Sequence, residues 1–449
     1  MMSSAKQPLR NIGIFRNLPD YDPSIKGLTA VITGGNGISG FHTMRALLAA
    51  PSRWSKIYAL SRKPPPEEMM ALLTSDERSR VQHVAVDFLN PVEDIAAAME
   101  KASVKADHIF YYTYLQPPPL ENTRVWSNAD ELVKVNAGML DNFLAALEKC
   151  EIWPQRFLLQ TGAKNYGIHL GRIRLPAIES DPQPKHLEPN FYYPQEESLF
   201  KFCEKSGGKT KWNVIRPAWI IGAVVKAQIN AFYPMAIYAA VQAYLNKPLS
   251  FPSDWTKYQY ECHHATAFLT GFLSEWAVLE PDCGNEAFNA RDTSPLSWDR
   301  VYEELARWYS VTAGVKGPPE QSDKDDQYHV LEGKGGNDVP FGHGPPTAHR
   351  VTFSFVEWAK QDENKNAWKE ITQQSGGKIK TNPFDDVEEN FVMGDAAHAT
   401  MGALSMNKAR ILGWNGFVDT RESLFMMFDE MAKMGLLPEM KVKAARPLV

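Results

Sequence analysis

Short apolar runs rich in β-branched residues alternate, along the first half of the chain, with stretches whose apolar residues recur every three or four positions. The runs Leu28–Thr33, Lys56–Ser61, Gln82–Asp87, His108–Thr113, Arg156–Thr161 and Trp212–Ile221 predict strands. The stretches Phe41–Ala50, Val92–Lys101, Glu131–Lys149 and Gln195–Lys205 predict helices between them. Strands separated by helices suit parallel pairing, because the connection must return to the strand's starting end. The pattern therefore predicts an α/β fold, a doubly wound parallel sheet of the Rossmann type. A further run, Glu286–Ala290, predicts a strand that rejoins this sheet after an excursion.

Beyond residue 222 the periodicity turns helical, with Ala231–Leu245 and His264–Leu279 both rich in aromatic residues and alanine. Between Gly317 and Arg350 glycine, proline and aspartate become frequent and neither periodicity persists, which predicts a long surface loop. Such a loop is read equally as a lid or as an insertion without function. The resulting organisation is an N-terminal arm over 1–26 and a Rossmann domain over 27–222 with its return strand near 286–292. A smaller, mainly helical, discontinuous C-terminal lobe spans 223–285 and 293–449, with a flexible loop over 317–350. No internal repeat is present.

The chain's 449 residues suffice for both parts. A net charge of −5, with lysine and arginine scattered, argues against a nucleic-acid surface and for small-molecule partners. The four cysteines, Cys150, Cys203, Cys262 and Cys283, form no CxxC pair, so neither a disulfide framework nor a zinc ribbon is expected. No apolar run reaches the length of a membrane span and the N-terminus does not resemble a signal peptide, which predicts a cytoplasmic protein with no membrane partner. Self-association as a homodimer stays open. No metal site is expected. Cys262, His263 and His264 are adjacent and would point apart on a helix, and His329, His343 and His349 show no ligand spacing.

The chemistry starts at Thr33-Gly34-Gly35-Asn36-Gly37-Ile38-Ser39-Gly40, which closes one apolar run and opens a helical one. Gly34 permits a tight turn, Gly37 lets backbone approach a pyrophosphate, and Gly40 lets the helix pack on the strand. The pyrophosphate would lie against unpaired N–H groups at the helix N-terminus. An NAD-binding fold places a carboxylate at the end of the second strand, but here the chain reads Ser61-Arg62-Lys63. Two cations and no carboxylate favour a 2′-phosphate, hence NADPH. Asp87-Phe88, at the end of the third strand, falls where adenine would lie.

Reductases with this turn usually carry YxxxK on one helix, one turn apart. Tyr192 and Tyr193 are instead followed at that spacing by Glu196 and Glu197. A different pair is on offer: Lys164, just after the fifth strand, and Tyr192, just before a helix.

With these motifs the chain resembles the progesterone 5β-reductase and iridoid synthase-like (PRISE) family of extended, atypical short-chain dehydrogenases/reductases. The resemblance covers most of 27–310 and resumes at Ser405–Phe417. It is carried by the glycine turn, Ser61-Arg62-Lys63, Phe110-Tyr111-Tyr112-Thr113-Tyr114, Leu159-Gln160-Thr161-Gly162-Ala163-Lys164, Asn190-Phe191-Tyr192-Tyr193 and Arg216-Pro217-Ala218-Trp219-Ile220-Ile221-Gly222. The resemblance implies a Rossmann domain with a helical substrate lobe, and NADPH-dependent 1,4-reduction of an activated alkene. Tyr192 matches the family's catalytic tyrosine, which also borders the cofactor, and Lys164 its lysine, whose charge would draw Tyr192 towards phenolate. Gly34, Gly37, Ile38, Ser39, Gly40, Arg62, Lys63, Asp87, Phe88, Thr113, Tyr114, Gln160 and Ile220 are implied cofactor contacts. Tyr114, Leu170, Trp219 and Gly402 are implied to line the substrate pocket. Tyr114 stands for the family's tryptophan and Trp219 for its asparagine, while Leu170 and Gly402 stand near expected aromatics, so the departures concentrate in the substrate half. The leading expectation is an ene-reductase of specialised metabolism acting on a bulky, apolar enone or enal. An imine or ketone reductase or a cyclase of the same fold, and a non-catalytic NADP(H) sensor of the NmrA-like kind, are the rivals.

Overall fold

A computed structural model describes residues 8–118, 128–226, 230–320, 328–398 and 402–447. Its centre is a seven-stranded sheet in which every neighbouring pair is parallel. The strands and principal helices of this part are β1 (Leu28–Thr33), α1 (Ile38–Leu48), β2 (Trp54–Ser61), β3 (Val81–Ala85), α2 (Val92–Lys101), β4 (His108–Tyr111), α3 (Ala129–Lys149), β5 (Arg156–Gln160), α4 (Tyr192–Lys205) and β6 (Lys211–Pro217). After α5 (Tyr233–Tyr244) and α6 (Ala267–Leu279), strand β7 (Glu286–Ala290) returns to pair with β6. The order across the sheet is β7-β6-β5-β4-β1-β2-β3, so the chain reverses direction between β1 and β4. A crevice opens at such a reversal, beyond the C-terminal ends of the strands.

The strands are apolar on both faces because helices cover both. Val31, Ile109, Phe157 and Leu159 pack towards α2 and α3, while Ala30, Ile32, Phe110 and Leu158 pack towards α1 and α6. Gly271 lets α6 lie against α1, since a Cβ there would sit 2.9 Å from the Thr43 Cα and the Ala46 Cβ. The second lobe combines α5 with α7 (Trp298–Tyr309), α8 (Phe355–Lys360), α9 (Asp362–Gln374), α10 (Val387–Ala397) and α11 (Thr420–Lys433). Its core holds Trp298, Trp308, Trp368, Phe355 and Phe391, all buried.

Several boundaries differ from the sequence reading, each for a local reason. The segment read as a loop over 317–350 contains an antiparallel ribbon, His329–Glu332 paired with Ala348–Val351. Its connection is ordered by Gly333 N–H to Thr347 O and Gly336 N–H to Gly344 O bonds of 2.7 and 2.9 Å. Residues 9–19, read as part of an arm, form a hairpin whose buried Phe15 lies 4.9 Å, ring to ring, from Phe268 on α6. The run Trp212–Ile221 is not one strand. β6 stops at Pro217, Trp219 turns left-handed at φ +46°, and Ile220–Ile221 pairs separately with Ala265–Thr266. His264 consequently precedes α6 in extended chain, and Cys262 bridges to Leu296.

Candidate functional site

A cleft of about 1900 Å³ begins at the crevice between β1 and β4 and runs to the ribbon. The glycine turn forms its floor. Gly34 has φ +65°, and a Cβ there would lie 3.0 Å from the Tyr112 backbone, so the turn fits tightly against the end of β4. A Cβ on Gly40 would collide with the Gly34 carbonyl, so that position closes the turn onto α1. Gly37 starts α1 without any side-chain cap, leaving first-turn N–H groups for a ligand.

All the expected cofactor positions border this one cleft: Gly34, Gly37, Ile38, Ser39, Gly40, Arg62, Lys63, Asp87, Phe88, Thr113, Tyr114, Gln160, Tyr192 and Ile220. Arg62 and Lys63 follow β2, and the Ser61 hydroxyl donates to the Lys63 carbonyl at 2.7 Å, which shapes the turn that carries them. Asp87 and Phe88 lie just past β3 rather than in it. The Asp87 carboxylate accepts from the Leu89 N–H at 3.0 Å, and the buried Phe88 ring packs edge-on to Phe143. The Gln160 amide donates to the Ser39 hydroxyl at 2.7 Å, joining β5 to the glycine turn.

Lys164 sits in a 3-10 turn, Ala163–Tyr166, immediately after β5. Tyr192 is the first residue of α4, so the helix begins earlier than its apolar spacing predicts. The phenolic oxygen is held against backbone: a Cβ on Gly162 would come within 3.1 Å of it. Burial, followed by the neighbouring Tyr114, raises the Tyr192 phenol well above its ordinary value. The expected drift towards phenolate is therefore corrected: desolvation penalises the anion, and Tyr192 stands as a neutral donor. Burial pulls the Lys164 ammonium down to about 8, with Glu188 pulling more weakly upwards. His169, nearby on the cleft wall, is pushed to about 3 by burial and then by Lys164 and Lys334, so its 3.7 Å contact with Glu188 is not an ion pair at neutral pH.

Two of the expected pocket residues do not reach the cleft. Tyr114 and Trp219 line it, but Leu170 and Gly402 do not. Leu170 turns back on Gly167, to whose carbonyl its N–H donates at 2.8 Å. Gly402 is covered by the Leu175 side chain. The far end of the cleft is built instead by residues that no motif assigns to it. His329, Leu331, His349 and Val351 present one face of the ribbon, and Tyr238, Phe353, Trp358 and Met393 come from the helical lobe. The i, i+2 spacing of 329/331 and 349/351 puts these residues on one face, but strands of four residues leave no readable periodicity in the sequence.

The residues fit a nicotinamide dinucleotide. Besides the glycine cradle, Thr113, Gln160 and Thr161 border the cleft, and their buried atoms Thr113 Oγ1, Gln160 Oε1 and Thr161 Oγ1 have no hydrogen-bond partner among the described residues. Such atoms are costly unless a ligand completes them. Among the described residues no three His, Cys, Asp or Glu side chains gather to hold a metal ion, and no helix is long and apolar enough to cross a membrane.

Residues 30–330 match the model of the PRISE-like Rossmann-fold domain. The chain is 27% identical to the short chain dehydrogenase gsfE of Penicillium aethiopicum, over 92% of this chain and 99% of that one. It is 27% identical to the (S)-8-oxocitronellyl enol synthase CYC2 of Camptotheca acuminata, over 91% and 93%. It is 24% identical to the 3-oxo-Delta(4,5)-steroid 5-beta-reductase of Arabidopsis thaliana, over the same shares, 91% and 93%. With the parallel sheet, the glycine cradle and the Lys164–Tyr192 wall in one cleft, the chain belongs to the PRISE-like Rossmann-fold family of short-chain dehydrogenases/reductases.

Proposed function

We propose that the protein is an NADPH-dependent reductase that adds hydride to the β-carbon of a bulky activated alkene, an enone or enal. The observation that carries this reading is the neutral Tyr192 phenol, fixed against Gly162 in the cleft that also holds the glycine turn and Lys164. When bound, NADPH supplies the hydride. The N-terminal turn of α1 would hold the pyrophosphate, and Arg62 and Lys63 would be the cations for the 2′-phosphate. Thr113, Gln160 and Thr161 offer unpaired polar atoms that a bound cofactor would satisfy.

Hydride addition to an enone places negative charge on the carbonyl oxygen. A phenol that donates to that oxygen stabilises the transition state more than the ground state, and it does so most strongly in a site closed to water. Tyr192 has that role. Lys164, charged below pH 8, would add favourable potential in the same cleft and would donate towards the nicotinamide ribose. The far wall is mainly apolar and aromatic, through Trp219, Tyr238, Phe353, Trp358, Leu331 and Val351 beside His329 and His349, which suits a large hydrophobic substrate. A protonated Tyr192 also suits proton donation to a ketone or imine, the second reading.

The test is NADPH oxidation, followed by absorbance, against enones, enals, ketones and imines, with wild type, Tyr192→Phe and Lys164→Ala. Turnover confined to enones or enals and lost in Tyr192→Phe supports the reading, and turnover confined to ketones or imines replaces it by the second. Tight NADPH binding without turnover on any class points to a sensor.

A further inference from the structure

We infer that Asn190 is a positioning residue that sets the catalytic Tyr192 against Lys164 through its side-chain amide. The inference rests on the function proposed above. Where tyrosine and lysine lie four residues apart on one helix, helix geometry fixes their separation. In this chain they belong to different elements, a 3-10 turn after β5 and the first residue of α4, with the long connection 167–190 between them. Neither element alone can hold their relation.

Asn190 joins the two directly. Its Nδ2 donates to the Lys164 carbonyl at 3.0 Å, and its Oδ1 accepts from the Tyr192 N–H at 3.0 Å. Its own carbonyl accepts from the Tyr193 N–H at 3.2 Å, so the residue also satisfies the open start of α4. Both ends of the amide are used, which explains the residue type: aspartate supplies only acceptors, and alanine supplies neither. A second set of bonds ties the same segments farther from the reacting atoms. The Gln183 amide donates to Asn165 Oδ1 and Glu196 Oε2, both at 2.9 Å, and Arg216 pairs with Glu196 at 3.0 Å. That layer holds the segments together when Asn190 is changed, so an Asn190 variant is expected to fold while losing the fine placement of the pair. The tolerance is small because the Tyr192 hydroxyl already abuts Gly162.

The experiment compares wild type with Asn190→Ala and Asn190→Asp in the full chain. A displacement of about 1 Å in a reacting group costs roughly 100-fold in rate. We expect kcat to fall between about 10- and 100-fold in Asn190→Ala, with KM for NADPH changed less than about twofold, because Asn190 does not border the cleft. Asn190→Asp keeps the bond to Tyr192 N–H but turns an oxygen towards the Lys164 carbonyl, and is expected to be equally impaired. If Asn190→Ala does not fold, Asn190→Asp carries the same test.

A second readout needs no turnover. Competitive acylation of Lys164 by acetic anhydride, followed by peptide mass spectrometry across pH, reports the lysine's titration. The midpoint is expected near 8 in wild type and displaced upwards in Asn190→Ala, where the loosened turn lets water reach the ammonium. Unchanged kcat together with an unchanged Lys164 midpoint in a folded variant would overturn the inference. An active Asn190→Ala beside an inert Tyr192→Phe would do so while leaving the proposed function intact.

Discussion

Replacing Lys164 with methionine is expected to abolish turnover and yet stabilise the cofactor-free chain at neutral pH. The reason is the cost of desolvating its ammonium, which lowers its ionisation from the ordinary 10.5 to about 8. A fall of that size corresponds to roughly 3 kcal/mol, and partial screening where Lys164 borders the cleft reduces this to about 2 kcal/mol. The sign follows from proton binding. Between pH 8 and 10.5 the unfolded chain holds a proton on Lys164 that the folded chain has released, so wild-type stability rises with pH across that window. Below pH 8 the full penalty is present, and above 10.5 it is gone. Methionine, similar in length and uncharged, carries no such penalty. Urea unfolding followed by tryptophan fluorescence at pH 7, 8.5 and 10 measures the difference between the two chains. The advantage of Lys164→Met should be largest at pH 7 and shrink by about 2 kcal/mol towards pH 10.5. A difference that does not vary with pH, or a wild type more stable at pH 7, would refute the reasoning.

Three further outcomes are expected. Arg62→Ala should raise KM for NADPH at least about tenfold while leaving KM for NADH nearly unchanged, as for the loss of a charge-assisted bond to a 2′-phosphate; equal changes would remove Arg62 from phosphate binding. The pH profile of kcat/KM for NADPH should fall on the alkaline side as Lys164 loses its proton near 8, and Lys164→Arg should move that limb upwards; Tyr192 cannot supply the limb, because its phenol ionises above its ordinary value. Gly171→Ala should lower stability by about 1–3 kcal/mol in urea unfolding, since it strains a left-handed site and overpacks a closed contact. Gly171 has φ +138°, and a Cβ there would meet the buried Val339 Cγ1 at 2.5 Å.

The sheet and the cofactor half of the cleft were legible because local chemistry writes them. A continuous apolar run buries both faces of a parallel strand, and Gly34 and Gly40 each answer to a close backbone contact. Tyr192 and Lys164 were found through motifs rather than periodicity. The start of α4 was placed three residues late because Asn190 caps it from outside the helix, and an asparagine two residues ahead of the first helical residue was the overlooked signal. The far half of the cleft was poorly legible. The ribbon has strands of four residues whose exposure does not alternate, so it leaves no period-two signature. The family resemblance implies Leu170 and Gly402 in the pocket, but Leu170 turns back to Gly167 and Leu175 covers Gly402. Trp219 lies two residues after Pro217, which can end a strand ladder, but nothing at position 219 itself announces a left-handed residue.

The central claim is the destination of the hydride. Reduction of an accepted enone with NADPH deuterated at the transferable C4 position, followed by NMR of the product, tests it directly. The account predicts deuterium on the β-carbon, with the α-carbon proton drawn from solvent or Tyr192. Deuterium on the carbonyl carbon, giving an allylic alcohol, would contradict it.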